Sequence, residues 1–119
     1  MPPDPGDDAA YLADMLRYAR EIAARVERVG LAEFLANDDL RLATERRIEI
    51  IGEAARGVST ACRDANPQVP WRAIIAQRHI LAHEYGDVVP EKIWRVASVH
   101  IPALIEVIAP LVPPTPDQG

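Results

Sequence analysis

The sequence predicts an all-α protein, an up-and-down helical bundle of about four main helices. Three observations carry that expectation. Apolar residues recur at three- and four-residue steps through long segments, prolines and glycines mark most of the breaks between those segments, and no stretch alternates apolar and polar residues as a half-buried strand would. Glycine-rich phosphate loops and internal repeats are also missing from the sequence. The 119 residues suit one domain near the small end of comfortable sizes.

Taken in order, residues 1–6 (MPPDPG) are rich in proline and are expected to be disordered, and Asp7 or Asp8 can cap the helix that follows. From Ala9 to about Val29, Leu12, Met15, Leu16, Ala19, Ile22, Ala23, Val26 and Val29 form one stripe, and Gly30 offers a stop. LAEFLAND (31–38) reads as a short helical turn. Asn37, Asp38 and Asp39 then provide caps for a second long helix, expected from about Asp39 to Ala65. Its stripe would comprise Leu42, Ala43, Ile50, Ala54, Val58 and Ala61, flanked by Leu40, Ile51, Ala55 and Cys62. Gly52 within it, with Ala54, Ala55 and Gly57 nearby, suggests close approach by another helix.

Asn66-Pro67 and Val69-Pro70 mark a loop, because the residue before proline is pushed out of helical geometry. A third main helix is expected from Trp71 to about Glu84, with Ile74, Ile75 and Leu81 in the core, Trp71 and Ile80 at its margins, and Gly86 as its stop. Pro90 suits the first position of a last helix running to about Ala109, with Ile93, Trp94, Ala97, Ile101, Leu104, Ile105 and Ile108 on its apolar face and a kink at Pro102. The folded domain is thus expected at 7–110, with a loose tail at 111–119.

The charge pattern narrows the function. A net charge of −5 argues against a general nucleic-acid binder, yet the charge is uneven: residues 1–40 carry −5, residues 41–80 carry +3 and residues 81–119 carry −3. The middle third holds seven arginines, which permit a local RNA groove and equally suit ordinary solvent-facing helices. No apolar run approaches a membrane span, the acidic, proline-rich start is unlike a secretory signal, and the single Cys62 reads as a packing residue. A cytoplasmic protein with no membrane association is the simplest expectation.

One stretch concentrates chemistry. Residues 76–87, AQRHILAHEYGD, place Arg78, His83 and Tyr85 within eight residues. Metal-free RNA cleavage needs a proton taken from a 2′-hydroxyl, charge stabilised on the phosphorane, and a proton given to the leaving oxygen. Histidine, with an unperturbed pKa of about 6.5, suits the proton steps, and arginine suits the charge step. A five-residue step turns roughly 140° on a helix, so Arg78 and His83 do not share one face, and another helix or a second copy must complete any groove between them. His79 and His83 stand four apart, a spacing that could serve a metal, but no third ligand is evident and no cofactor is expected. Glu84 and His79 are possible site-lining residues. Glu53, Arg46, Arg47 and Arg56 are expected to engage mainly in ion pairs along the second helix, and His100 has no evident partners.

The Arg-x4-His-x-Tyr pattern, with IIGEAA (50–55) upstream, VPW (69–71) opening the segment and IW (93–94) after it, resembles HEPN-domain ribonucleases, and more narrowly the HepT type of toxin encoded beside a minimal nucleotidyltransferase antitoxin. The resemblance covers nearly the whole chain. It implies a homodimer with a composite site, Arg78 and His83 as the catalytic residues, RNA as the substrate, and Tyr85 as a tyrosine adenylylated by the partner nucleotidyltransferase. His79 departs from the asparagine or aspartate common after the family's arginine, which leaves the pH dependence open. Two other readings stand beside it: a non-catalytic helical partner of a nucleotidyltransferase, and a purely structural dimerisation module.

Overall fold

A computed structural model describes residues 5–76 and 89–113, and these form an all-α bundle. Helix α1 spans Pro5–Val26, α2 Leu31–Ala36, α3 Asp38–Gly57 and α4 Thr60–Ala65. Residues 71–76 are helical and are labelled α5. A final rod comprises α6 (Pro90–Arg95), a π-helical turn (Val96–His100), α7 (Ile101–Ile108) and a 3₁₀ turn (Ala109–Leu111).

Helix α1 begins earlier than its sequence suggests. Proline is tolerated in a first helical turn, where its missing N–H would have had no partner, so the helix starts at Pro5 and places Asp7 and Asp8 inside the first turn. There their charge still complements the helix dipole. The predicted stripe is the buried one: Leu12, Met15, Leu16, Ala19, Ile22 and Val26 all lie in the core.

The second long helix is a correction. It breaks into two at Val58-Ser59, where Val58 is extended (φ −64°, ψ 135°) and Ser59 becomes the N-cap of α4, its hydroxyl accepting from the Cys62 amide. Asp8 fixes this break from across the bundle: its carboxylate accepts from the Ser59 amide at 2.8 Å and from the Ser59 hydroxyl at 2.7 Å. Asn37 caps the start of α3 by accepting from Leu40 N at 3.0 Å. The buried face of α3 also differs from the expected stripe. It comprises Thr44, Ile48, Ile51, Gly52, Ala54 and Ala55, while Leu42 is 60% exposed and Ala61 lies on the exposed side of α4. Thr44 enters the core because its hydroxyl donates to the Leu40 carbonyl at 2.7 Å, leaving its methyl group to pack.

Helices α1 and α3 run antiparallel and pack along their lengths. Near the start of α1, the Tyr11 ring lies directly over Gly57, so close that a Cβ there would stand 2.6 Å from Tyr11 Cζ. Further along, Glu21 receives Arg47 at 3.1 Å and Arg17 at 3.2 Å. Arg47 thus pairs between helices, not within α3 as expected, whereas Arg46 does make a pair along α3, with Glu49. The Arg47 guanidinium holds the Glu21 carboxyl below the usual range, with burial opposing and Arg17 assisting.

Phe34 of α2 is fully buried and meets Trp94 of α6 with ring centroids 5.3 Å apart and tilted by 55°. The rod supplies Ile93, Val96, Ala97, Ile101, Leu104 and Ile108 to the core. Pro102 acts upstream of itself: its ring has no N–H and crowds the carbonyl four residues earlier, and the backbone widens just before it, so that Ile101 N–H reaches the Val96 carbonyl. Beyond α7, Leu111 and Val112 pack half-buried against the core. Contrary to the expectation from single apolar runs, the 22-residue rod Pro90–Leu111, whose most apolar stretch has a mean hydropathy of 1.3, is long and apolar enough by length and composition to cross a membrane. Its contribution to the core accounts for one face of that character.

The contact at Gly57 yields a cycle of substitutions. Gly57→Ala alone should destabilise by about 1–3 kcal/mol through overpacking against Tyr11. In a Tyr11→Ala background the same change should be neutral or stabilising, since alanine is the better helix former by about 1 kcal/mol; urea titration of the four proteins measures it.

Candidate functional site

Each residue that the sequence nominates for chemistry — Arg78, His83, Tyr85, His79 and Glu84 — falls in 77–88, outside the described residues. So do Ile80, Leu81 and Gly86. What the structure defines is how the chain enters and leaves that segment, and what surrounds the entry.

The entry is firmly anchored. Val69 is buried, Trp71 N donates back to the Val69 carbonyl at 2.8 Å, and the Trp71 indole N–H donates to the Asn66 carbonyl at 3.0 Å. Asn66 in turn donates through Nδ2 to the Cys62 carbonyl at 2.8 Å, which ties the loop to α4. Trp71 and Ile74 are buried, so α5 leaves the core with one face fixed. The exit is set by Val89 in extended conformation, Pro90 in the first turn of α6 and the buried Ile93. The VPW and IW elements of the sequence are therefore the two anchors of the nominated segment.

Two depressions flank α5. The first is an apolar cavity of about 340 Å³ between α3, α5 and the rod, lined by Ile48, Ile51, Ile74, Ile101, Leu104 and Val107, with His100 at its edge. The second is a broad groove of about 1530 Å³ that holds Arg56, Arg63 and Arg72 and is lined in part by Ala76, the last described residue before the nominated segment. Sequence reasoning singled out neither Arg63 nor Arg72; the excess of arginine in residues 41–80 was the available signal.

Among the described residues no group of three or more His, Cys, Asp or Glu side chains is placed to hold a metal. Cys62 is half-buried, and burial, then the Asp8 carboxylate, push its thiol above the ordinary range, so it stays protonated and unreactive at neutral pH. On α3, burial first and the Glu49 carboxylate second raise the Glu45 carboxyl, with Arg41 opposing.

With this geometry in place, comparison with known proteins gives the class. The chain matches the HepT-like family, described as Ribonuclease HepT-like, over residues 15–111, and it belongs to that family. That range takes in α3, the entry and exit anchors and the whole of the nominated segment. Among relatives, a Methanocaldococcus jannaschii protein whose name marks it as a candidate RNase is 32% identical over 98 residues, covering 82% of this chain and 90% of the relative. A similarly named protein of Caldanaerobacter subterraneus subsp. tengcongensis is 33% identical over 94 residues (79% and 84% covered). The probable ribonuclease HepT of Thermococcus cleftensis is 29% identical over 94 residues (79% and 86% covered). No solved structure matches the chain.

Two predictions test the surroundings of the site. Trp71→Phe removes the indole donor to Asn66 and should cost about 1 kcal/mol, read by urea titration. Glu45 has a raised folded-state pKa, so its ionisation withdraws stability once pH exceeds the ordinary glutamate value. Glu45→Gln should therefore raise the unfolding midpoint near about pH 7, by no more than about 0.5 kcal/mol for a group still in contact with water, and the difference should vanish by about pH 3.

Proposed function

We propose that the chain is a metal-independent endoribonuclease of the HEPN type, acting in the cytoplasm as the toxin of a toxin–antitoxin pair. The observation that carries the reading is the family match across residues 15–111, which contains the complete Arg78, His83 and Tyr85 set. In this reading His83 removes the proton from a 2′-hydroxyl, and the resulting oxygen attacks the adjacent phosphorus. Arg78 binds the phosphate oxygens with its guanidinium fork and stabilises the charge that accumulates. The P–O5′ bond breaks and the leaving oxygen takes a proton from a protonated imidazole. The products are a 2′,3′-cyclic phosphate and a 5′-hydroxyl.

A homodimer completes the site in this reading, because Arg78 and His83 diverge around one helix. The rod supports it. Only 28% of its most apolar window is buried within the chain, and Val89 and Val99 stand exposed, which leaves apolar surface for a second copy to cover. Regulation follows from Tyr85. A partner nucleotidyltransferase joins the phenolic oxygen to the α-phosphorus of ATP and releases pyrophosphate. The attached AMP brings negative charge and bulk two residues from His83, which closes the site to an RNA phosphate.

Induced expression without a partner should arrest growth for the wild type and not for Arg78→Ala or His83→Ala, with all three folded by circular dichroism. The purified wild type should cut RNA to cyclic-phosphate ends, and either substitution should lower the rate at least about a hundredfold. The alternative, a non-catalytic partner of a nucleotidyltransferase, predicts a harmless wild type whose intact mass carries no AMP on Tyr85. That pair of results would sink the toxin reading.

A further inference from the structure

The groove beside α5 brings three guanidinium groups together from three helices: Arg56 from the last turn of α3, Arg63 from the last turn of α4 and Arg72 from the first turn of α5. One carboxylate, Asp64, accompanies them. The other arginines that α3 presents, Arg41, Arg46 and Arg47, each hold an ion pair, whereas among the described residues none of these three does. A chain of net charge −5 thus gathers three arginines and one carboxylate, a net positive set, in this groove.

Helix dipoles explain part of the arrangement only. A cation in the last turn faces the negative end of its helix, which suits Arg56 and Arg63. Arg72 stands in the first turn of α5, where the dipole disfavours a cation and an acid is the common occupant. Arg63 adds a separate observation. Its Nε is buried and, among the described residues, has no hydrogen-bond acceptor, so part of the guanidinium is desolvated at the groove wall with a donor left over. An anion in the groove answers both: it supplies the missing negative charge and offers acceptors to guanidinium forks.

We infer that the Arg56–Arg63–Arg72 groove binds backbone phosphates of single-stranded RNA and lays the strand toward the segment that begins after Ala76. Ala76, which helps to line the groove, precedes Arg78 by two residues, so the groove borders the start of the segment that carries the proposed catalytic residues. Apart from Thr60, its remaining lining is apolar (Pro67, Val69, Pro70, Trp71 and Ile75 among it), which suits the ribose and bases of a single strand more than a hydrated duplex face. The inference rests on the ribonuclease reading for its ligand and deepens it, because it assigns binding determinants other than Arg78 and His83.

The test uses the full chain carrying His83→Ala, to hold back cleavage, and fluorescence anisotropy of a labelled single-stranded RNA oligonucleotide across a salt series. Each phosphate contact on a single strand contributes about 0.7 to the slope of log affinity against log salt. Replacing Arg56, Arg63 and Arg72 by Gln should lower the slope by about 2 and weaken binding roughly a hundredfold at about 0.1 M salt. A matched triple of exposed arginines on and just after α1, Arg20, Arg25 and Arg28 to Gln, should leave the slope unaltered. If the Arg63 change perturbs folding, the exposed pair Arg56→Gln with Arg72→Gln still lowers the slope by about 1.4. Equal losses in both triples, no loss in the groove triple, or no binding by the parent would overturn the inference. Cleavage of the same oligonucleotide by the wild type, scored for a cyclic-phosphate end, reports separately on the ribonuclease reading.

Discussion

The antiparallel seam between α1 and α3 is the constraint on which the other elements depend. As numbering rises along α1 it falls along α3: Asp8 meets Ser59, Tyr11 covers Gly57, and Glu21 meets Arg47. These three contacts differ in kind. Glu21 and Arg47 form an ion pair near the surface, worth about 0.2–1 kcal/mol and sensitive to salt. The Tyr11–Gly57 contact is steric and sets how near the helices lie. The Asp8–Ser59 pair sets where α3 stops and α4 turns away, which in turn orients the loop that carries Val69 and Trp71. A polar contact at the beginning of the chain therefore reaches the entry to the proposed catalytic segment through one helix break and one loop.

Much of the fold was legible in the sequence because helix periodicity is a local property. The α1 stripe from Leu12 to Val26, the turn at 31–36, the start of the last helix at Pro90 and most of its buried face follow from spacing alone. The break at Val58-Ser59 was not legible, because neither residue forbids a helix; Ser59 acts as a cap only once Asp8 arrives from 51 positions away. The buried face of α3 was misread for a related reason. Leu42 and Ile50 are more hydrophobic than Thr44 and Gly52, yet the smaller residues lie inward, where close packing and a satisfied hydroxyl outweigh side-chain size.

The functional reading followed a different route. Chemistry-bearing residues within 76–87, bracketed by VPW and IW, were recognisable as a pattern, and membership of the HepT-like family agrees with that recognition. The structure contributes the brackets themselves, since Trp71 and Ile93 fix the two ends of the segment to the core. The arginine groove could not be read from spacing. Arg56, Arg63 and Arg72 lie on three helices, and only the turns at Ser59 and at 66–70 bring them to one surface. Sequence supplied the regional charge, and the tertiary arrangement concentrated it.

The π turn at Val96–His100 also acts as a phase shifter for the last rod. Each residue of an α-helix advances the face by about 100°, so the single extra residue accommodated in a wide turn re-indexes all that follows it. Before the turn, the rod packs mainly on α2 and α3; from the turn onward it packs mainly on α1 while still bordering the α3 cavity. One unbroken helix thus serves two sets of neighbours that a uniform helix would meet in conflicting rotations. Deletion of one residue between 96 and 100 would let the wide turn close to an ordinary α-helical one, with Leu104 and Ile108 still directed at the core. The wide turn is therefore the place where the rod absorbs one residue more than a regular helix would hold.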